Sequence, residues 1–296
     1  MKVSVVMLAY NHEKYIREAI EGVLNQKTNF DFELILGEDF STDSTRKICE
    51  EYSINNTRVN LLPSPKNHGL MENYIRTLKE TKGEYIALCS GDDFWIDDMK
   101  LQIQIDFLEN NSNYSMSFHA VNVLDSINHN KNNLFEGLRD ADYSGKDIFP
   151  SWQVPASSVV FRAKHLNKII ERLINPNFCY EDIITYLTLA EFGKLRCISK
   201  KMAVYRIHGE SISNMAFNEE RINMMNKHLD EIAKDFGGKY KKSIKFMRHR
   251  KGHDDCFQLI KGRKLKGLID LFILFVKEPG FSINYIGYRF KKLIIN

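Results

Sequence analysis

Long apolar runs are missing from this chain of 296 residues. Among the longest, Leu271 to Val276 falls far short of the ~20 residues a membrane-spanning helix needs. The opening "MKVSVVMLAYNHEKY" has too short an apolar stretch, and no cleavage pattern, for a signal peptide. Cysteine is sparse and scattered: Cys49, Cys89, Cys179, Cys197 and Cys256, an odd number with no C-x-x-C pair. That usage argues against a disulfide framework and reads as reduced thiols in a cytosolic protein. Strong charge of one sign is absent too. A net charge of +4 and a pI of about 8.6 suit an anionic small ligand or an anionic membrane surface, and are too weak to argue for nucleic acid. No internal repeat and no low-complexity linker interrupts the chain.

What is present is ordinary globular material, 43% hydrophobic and 27% charged, enough for one large domain or a domain with an appendage. Strand and helix signals alternate through the first half. The runs "VSVVML" (3–8), "FELILG" (32–37), "VNLL" (59–62) and "EYIALCS" (84–90) read as strands. Between them, Ile16, Ala19, Ile20, Val23 and Leu24 keep helical spacing, "STDSTRKICEEY" opens a second helix, and "MENYIRTLKET" is a third. This order predicts βαβ units, an α/β fold with a mainly parallel sheet and helices on both faces. Past residue 115 the alternation weakens: "SMSFHAVNVL", "SSVVFR" and a short "AVYRIHG" read as strands, and "DIITYLTLAEFG" as a helix. Residues 128–133 read as a polar loop, and beyond about 216 the pattern is helical and basic.

Ligands of such sheets collect at the carboxyl ends of the strands. Three polar clusters fall there: Ala9-Tyr10-Asn11, Glu38-Asp39 and Asp92-Asp93. Two adjacent acids after a strand invite a divalent cation, Mn²⁺ or Mg²⁺, which takes oxygen ligands and shares them with phosphate. The competing reading is helix capping, a role that Asp97 and Asp98 fill for the helix starting near Met99.

The segments "VSVVMLAYNHEKYIREAIEGVLNQ", "ELILGEDFSTDST", "GEYIALCSGDDFW", "KLQIQIDFLE", "VPASSVVFR", "YEDIITYLTLAEFGKL" and "AVYRIHG", in this order over roughly residues 2–210, resemble the family two glycosyltransferases. The resemblance implies the glycosyltransferase-A fold, and an inverting enzyme that moves a sugar from a nucleotide sugar, a UDP-sugar foremost, to a glycan or polyprenyl-linked acceptor. It implies that Asp39 accepts a hydrogen bond from the uracil ring, with Ala9, Tyr10, Asn11 and Glu38 around the same pocket. Asp92 would face the donor's ribose or sugar, Asp93 and His208 would hold the metal, and Asp182 would be the catalytic base, with Glu181 an alternative. Trp95 is placed with the nucleotide-sugar residues, although packing on the acceptor side is its main rival role.

Glu38 stands where the family usually has aspartate. The usual arginine after "NHGL" is replaced by Tyr74, with Arg76 two residues on, which leaves the diphosphate's basic partner open. Processive members carry Q-x-x-R-W, and neither Trp95 nor Trp152 sits in that context, so the chain reads as non-processive. A nucleotidyltransferase is disfavoured because "MLAYNHEKY" lacks a glycine-rich loop. A catalytically silent binding protein is disfavoured because Asp39, Asp92, Asp93 and Asp182 are all retained. His119 is assigned to the sheet or acceptor wall, and the remaining histidines to solvated surface. Residues 1–215 are expected to form the catalytic domain, with a nucleotide half at about 1–95 and an acceptor half at 96–215. Residues 216–296 would be a helical extension, either a hairpin packed on that domain or a peripheral contact with the inner face of the cell membrane.

Overall fold

A computed structural model describes residues 1–127, 134–150, 152–209, 219–248 and 265–277, together with Pro279, Ser282 and Tyr285. Two compact units divide the chain, Met1–Glu231 and Ile232–Asn296. The expected boundary at 215/216 and the loop at 128–133 lie outside the described residues.

The first unit is built on one sheet. Strands β1 (Val3–Ala9), β2 (Phe32–Glu38), β3 (Val59–Leu61) and β4 (Tyr85–Ser90) lie parallel in the order 3-2-1-4, with Val5 opposite Leu34 on one side and Ala87 on the other. Every residue of β2 is buried, because helices cover both faces of the sheet. Val3, Val5, Met7 and Ala9 share a core with Ile16, Ala19, Ile20 and Val23 of α1 (Ile16–Leu24), Cys49 of α2 (Thr45–Asn55) and Leu101, Ile105 and Leu108 of α4 (Lys100–Asn110). Val6 and Leu8 point the other way, toward α3 (Leu70–Lys79) and α7 (Glu181–Leu189).

Beyond β4 the sheet changes character. β8 (Val160–Arg162) runs antiparallel between β4 and β6 (Tyr114–Asp125), and β9 (Lys194–Ile207) returns parallel to β6. Two short strands, β5 (Phe94–Trp95) and β7 (Ala141–Tyr143), pair antiparallel with β9. The short strand expected at 203–209 is the end of this 14-residue β9. Exposed Ser199, Lys200 and Lys201 break its apolar pattern, and its register against β6 shifts at His119/Ala120 and again at Ala120/Val121. Part of "SSVVFR" is a 3-10 turn (Ala156–Ser158) instead of strand. The short helices α5 (Gly145–Ile148) and α6 (Leu166–Leu173) complete this half, and α8 runs Glu219–Asp235. Gly22 lets β5 lie against α1, since a Cβ there would stand 2.9 Å from the Trp95 carbonyl oxygen.

Residues of the second unit that are described are helical at 232–235, 241–248 and 265–277. Gly237 and Gly238 adopt φ of 58° and 74°, and the Gly238 amide closes on the Ala233 carbonyl at 2.9 Å, a left-handed helix stop.

Candidate active site

The loops after β1, β2 and β4 meet at one end of the sheet. Asn11, at φ 55°, ties the first two together: its Oδ1 accepts the Thr42 amide at 2.9 Å, and its own amide donates to Ser41 Oγ at 3.0 Å. Asp39 is buried, and its carboxylate accepts the backbone N–H groups of His68 (2.8 Å) and Gly69 (2.9 Å). Gly69 stands at φ 79°, so the loop before α3 can present two successive amides to one carboxylate. Glu38 is wholly interior, accepting the Ser41 amide at 2.6 Å and facing Arg46 at 3.4 Å. Ala9 is also buried, whereas the Tyr10 ring is 45% exposed at the mouth of the same loops. Arg76, the displaced basic residue, spends its guanidinium on Asn73 and the Pro63 and Glu38 carbonyls.

The two acids after β4 have opposite surroundings. Asp93 is 1% exposed; Ser157 Oγ donates to its Oδ2 at 2.6 Å and the Arg206 amide to its Oδ1 at 2.9 Å. Burial and the Asp92 charge beside it push the Asp93 carboxyl well above the usual carboxylate range. Asp92 retains an accessible side chain, 3.2 Å from His208 Nε2 and 4.0 Å from His12 Nε2. Burial works to raise its pKa, but the His208 hydrogen bond and the charges of His12 and His208 outweigh it, and the net shift is downward. Their surroundings thus pull the two acids apart, Asp92 downward and Asp93 upward.

Arg206 supports this turn from β9. Its Nη1 donates to the Asp92 carbonyl at 2.8 Å, its Nη2 pairs with Glu18, and its guanidinium lies 4.3 Å over the Phe94 ring. Ser157 joins the turn to the core, accepting the Ser90 amide at 3.1 Å while its carbonyl accepts the Trp95 indole N–H at 2.8 Å. Trp95 departs from its expected place beside the donor: 4% exposed, it faces the interior with Lys100 Nζ 3.9 Å over its ring. Lys100 is fully buried without a hydrogen-bond partner among the described residues, and burial lowers its pKa to about 7.

A third pair of acids comes from the head of α7. Glu181 and Asp182 line a small cavity with Val6 and Leu8 of β1, Leu88, Cys89 and Ser90 of β4, Tyr74 and Ala156. Tyr180 occupies the helix cap, so Asp182 sits inside the first turn and is not the N-cap. Its Oδ2 accepts the Trp152 indole N–H at 3.1 Å. Burial raises both pKa values, and the neighbouring Asp182 charge helps carry Glu181 to about 8.

His12, Trp152, Ser157 and Arg206 were not singled out from sequence. Arg206 stands at the end of strand β9 two residues before His208, a spacing that keeps side chains of an extended chain on one side, which is a signal the sequence did contain. His12 and His228 also depart from the solvated-surface reading: His12 is partly buried beside Asp92, and His228 is fully buried against Trp152, Tyr180 and Phe178. His119 is interior to β6, with Nδ1 on the Ala120 carbonyl at 2.8 Å.

No group of three or more His, Cys, Asp or Glu among the described residues is arranged to hold a metal unaided. Asp92 Oδ2 and His208 Nε2 nonetheless stand 3.2 Å apart, an oxygen and a nitrogen of the kind a divalent cation takes together with phosphate oxygens and water.

A family model described as "Glycosyl transferase family 2" matches residues 4–175. An uncharacterized protein of Mycobacterium tuberculosis is 32% identical over 228 residues, 74% of this chain and 62% of that protein, so the chain spans about three fifths of that relative's length. The putative teichuronic acid biosynthesis glycosyltransferase TuaG of Bacillus subtilis is 30% identical over 219 residues, 72% of this chain and 81% of its own. Among solved structures, residues 1–349 of S. aureus TarS in complex with UDP-GlcNAc superpose with a TM-score of 0.61 at 20% identity, covering 79% of this chain and 67% of that 1–349 chain. The fold is therefore of glycosyltransferase-A type, and the chain belongs to glycosyl transferase family 2.

Proposed function

We propose that this chain is a non-processive, inverting glycosyltransferase that moves a hexose-type sugar from a UDP-sugar to a hydroxyl of a glycan or lipid-linked acceptor in polysaccharide biosynthesis. The observation that carries the proposal is the cavity that joins Glu181 and Asp182 to the carboxyl ends of β1 and β4, where the loop to Asp92 begins. TuaG's assignment to teichuronic acid synthesis and TarS's bound UDP-GlcNAc support the acceptor and donor classes.

In this reading the uracil lies against Tyr10 and its ring N–H reaches Asp39. Each carboxylate oxygen of Asp39 accepts one backbone N–H and keeps a second lone pair for the base. Ala9, Asn11 and Glu38 shape this pocket from within, by backbone position and loop bonds, without reaching the ligand. Asp92 and His208 would hold Mn²⁺ or Mg²⁺ against the diphosphate, while Asp93 holds the turn. When bound, the cation supplies Lewis-acid stabilisation of the departing diphosphate. His12 Nε2 faces the same carboxylate at 4.0 Å.

Asp182 removes the acceptor hydroxyl's proton as that oxygen attacks the anomeric carbon; the bond from that carbon to the diphosphate oxygen breaks, and UDP leaves. One displacement inverts the centre, so an α-linked donor gives a β-linkage. A positioned base contributes ~10²–10⁴-fold to such a rate. Residues 1–95 would serve the nucleotide, residues 96–215 the acceptor, and the extension from 216 contact with the inner face of the cell membrane. A thermal-shift panel of nucleotide sugars with and without Mn²⁺ tests the reading. Stabilisation by UDP-sugars that depends on metal supports it, and indifference to every nucleotide sugar overturns it.

A further inference from the structure

The helix Leu265–Lys277 turns its apolar side outward. Leu265, Leu268, Ile269, Phe272, Ile273 and Val276 recur at the three- and four-residue spacing of one helical face, and each is between 42% and 71% exposed. Asp270 and Leu274 lie on the other side and are less exposed, and the Leu274 carbonyl accepts the buried Ser282 hydroxyl at 3.3 Å. A water-facing helix has the reverse order, polar residues out and apolar residues in. Six large apolar side chains exposed side by side form a contiguous patch, and such patches mark docking sites.

Charge selects the occupant. Exposed Lys266 and Lys277 stand near its two ends. Lys261, Arg263 and Lys264 precede it, and no acid occurs from residue 257 to 269. Two such basic stretches would repel in a pair of copies, whereas apolar and basic residues together complement anionic lipid. Length selects the orientation. The 13 residues span ~20 Å, short of the ~30 Å hydrocarbon core. No helix among the described residues is long and apolar enough to cross a membrane.

We infer that Leu265–Lys277 lies in the plane of an anionic bilayer surface, with Ile269 and Phe272 among the acyl chains and the flanking basic residues at the lipid phosphates. This deepens the lipid-linked acceptor reading, on which its purpose rests. The test is flotation of the full chain with phosphatidylcholine vesicles, with and without phosphatidylglycerol, at low and high salt. Binding should require phosphatidylglycerol and weaken with salt. An Ile269→Ser/Phe272→Ser variant with an unchanged melting temperature should bind about tenfold more weakly or worse. In a Phe272→Trp variant, spin-labelled lipid should quench emission beyond that of wild type. Equal binding to neutral vesicles, full binding by the double variant, or a lipid-free dimer that the double variant dissolves would each overturn the inference. Vesicle binding without use of a lipid-linked acceptor would sink the acceptor reading and leave this one standing; transfer to such an acceptor without vesicle binding would do the reverse.

Discussion

The Trp152 indole N–H donates to Asp182 Oδ2 at 3.1 Å from a backbone held at φ 51°. A bulky residue in the left-handed region costs ~1–3 kcal/mol, and surrounding packing must hold it there. Tyr180 and His228 do so, with ring centres 5.3 and 6.2 Å from the indole. Trp152 therefore fixes one oxygen of the proposed base and favours its ionised form. Asp182→Asn should lower kcat by ~10²–10⁴ with UDP affinity near wild type. Trp152→Phe removes the donated proton, so the acid limb of the kcat–pH profile should move to higher pH. A dead Asp182→Asn enzyme beside an unshifted Trp152→Phe profile would reduce Trp152 to packing.

Glu181 gives a stability prediction of definite sign. Its pKa is raised in the folded chain, by burial first and then by the Asp182 charge, to about 8. The folded state thus binds the extra proton, and stability falls as pH rises from the unfolded carboxyl's range toward 8. Glu181→Gln removes a charge that is costly to bury. It should raise the melting temperature more at pH 8.5 than at pH 5, as read by calorimetry across that range. Equal shifts at both values would deny Glu181 its raised pKa.

Asp92 and Asp93 should respond differently to the same change. Asp92→Asn takes the ionised oxygens from beside His208 and should abolish the Mn²⁺ dependence of UDP binding. Asp93→Asn keeps the shape of a buried side chain whose oxygens face Ser157 and the Arg206 amide, so metal-dependent binding should stay within a few-fold of wild type. Isothermal titration with and without EDTA distinguishes them. Loss of the metal response in a stable Asp93→Asn variant would return the cation to Asp93.

Asp39→Ala should weaken UDP binding and loosen the loop before α3 together, because the same carboxylate holds the His68 and Gly69 amides. Each charged hydrogen bond is worth ~1.5–3 kcal/mol, so the loss in affinity should reach tenfold or more. Unchanged UDP affinity in a folded variant would remove Asp39 from the site.

Lys100→Met should stabilise the protein. With the folded pKa lowered to about 7 by burial and the unfolded one near 10.5, the native state resists protonation. Its penalty is complete below pH 7 and fades as pH rises toward 10.5. The gain in melting temperature should therefore be larger at pH 6.5 than at pH 9.5. A destabilised variant would show that the ammonium's place over Trp95 outweighs the cost of burying it.

Strands β1 to β4 and the helices among them were legible because apolar runs and helical spacing mark buried elements unambiguously. Asp92 and Asp182 stood out as acids at element ends, and the structure places them after β4 and in the first turn of α7. The site was illegible where a residue type misleads. Lys100 reads as surface because lysine is almost never fully buried. Trp95 beside two acids reads as a ligand platform, yet strand β5 turns it inward. Strand β9 was underestimated because Ser199, Lys200 and Lys201 face water in mid-strand, and a period-two pattern cannot survive three polar residues in a row. Ser157 offered no signal at all, since its role comes from a fold that brings residues 90 and 93 to its hydroxyl and residue 95 to its carbonyl.

The Arg206 amide that donates to Asp93 Oδ1 belongs to the main chain, so no substitution at position 206 short of proline removes that donor. Its proton can instead be followed by isotope exchange. That single amide exchanges with solvent only when β9 lifts from the turn carrying Asp92, so its rate times the opening of the proposed metal pocket. A nucleotide that closes the pocket would slow this one proton while amides on distant strands keep their own pace.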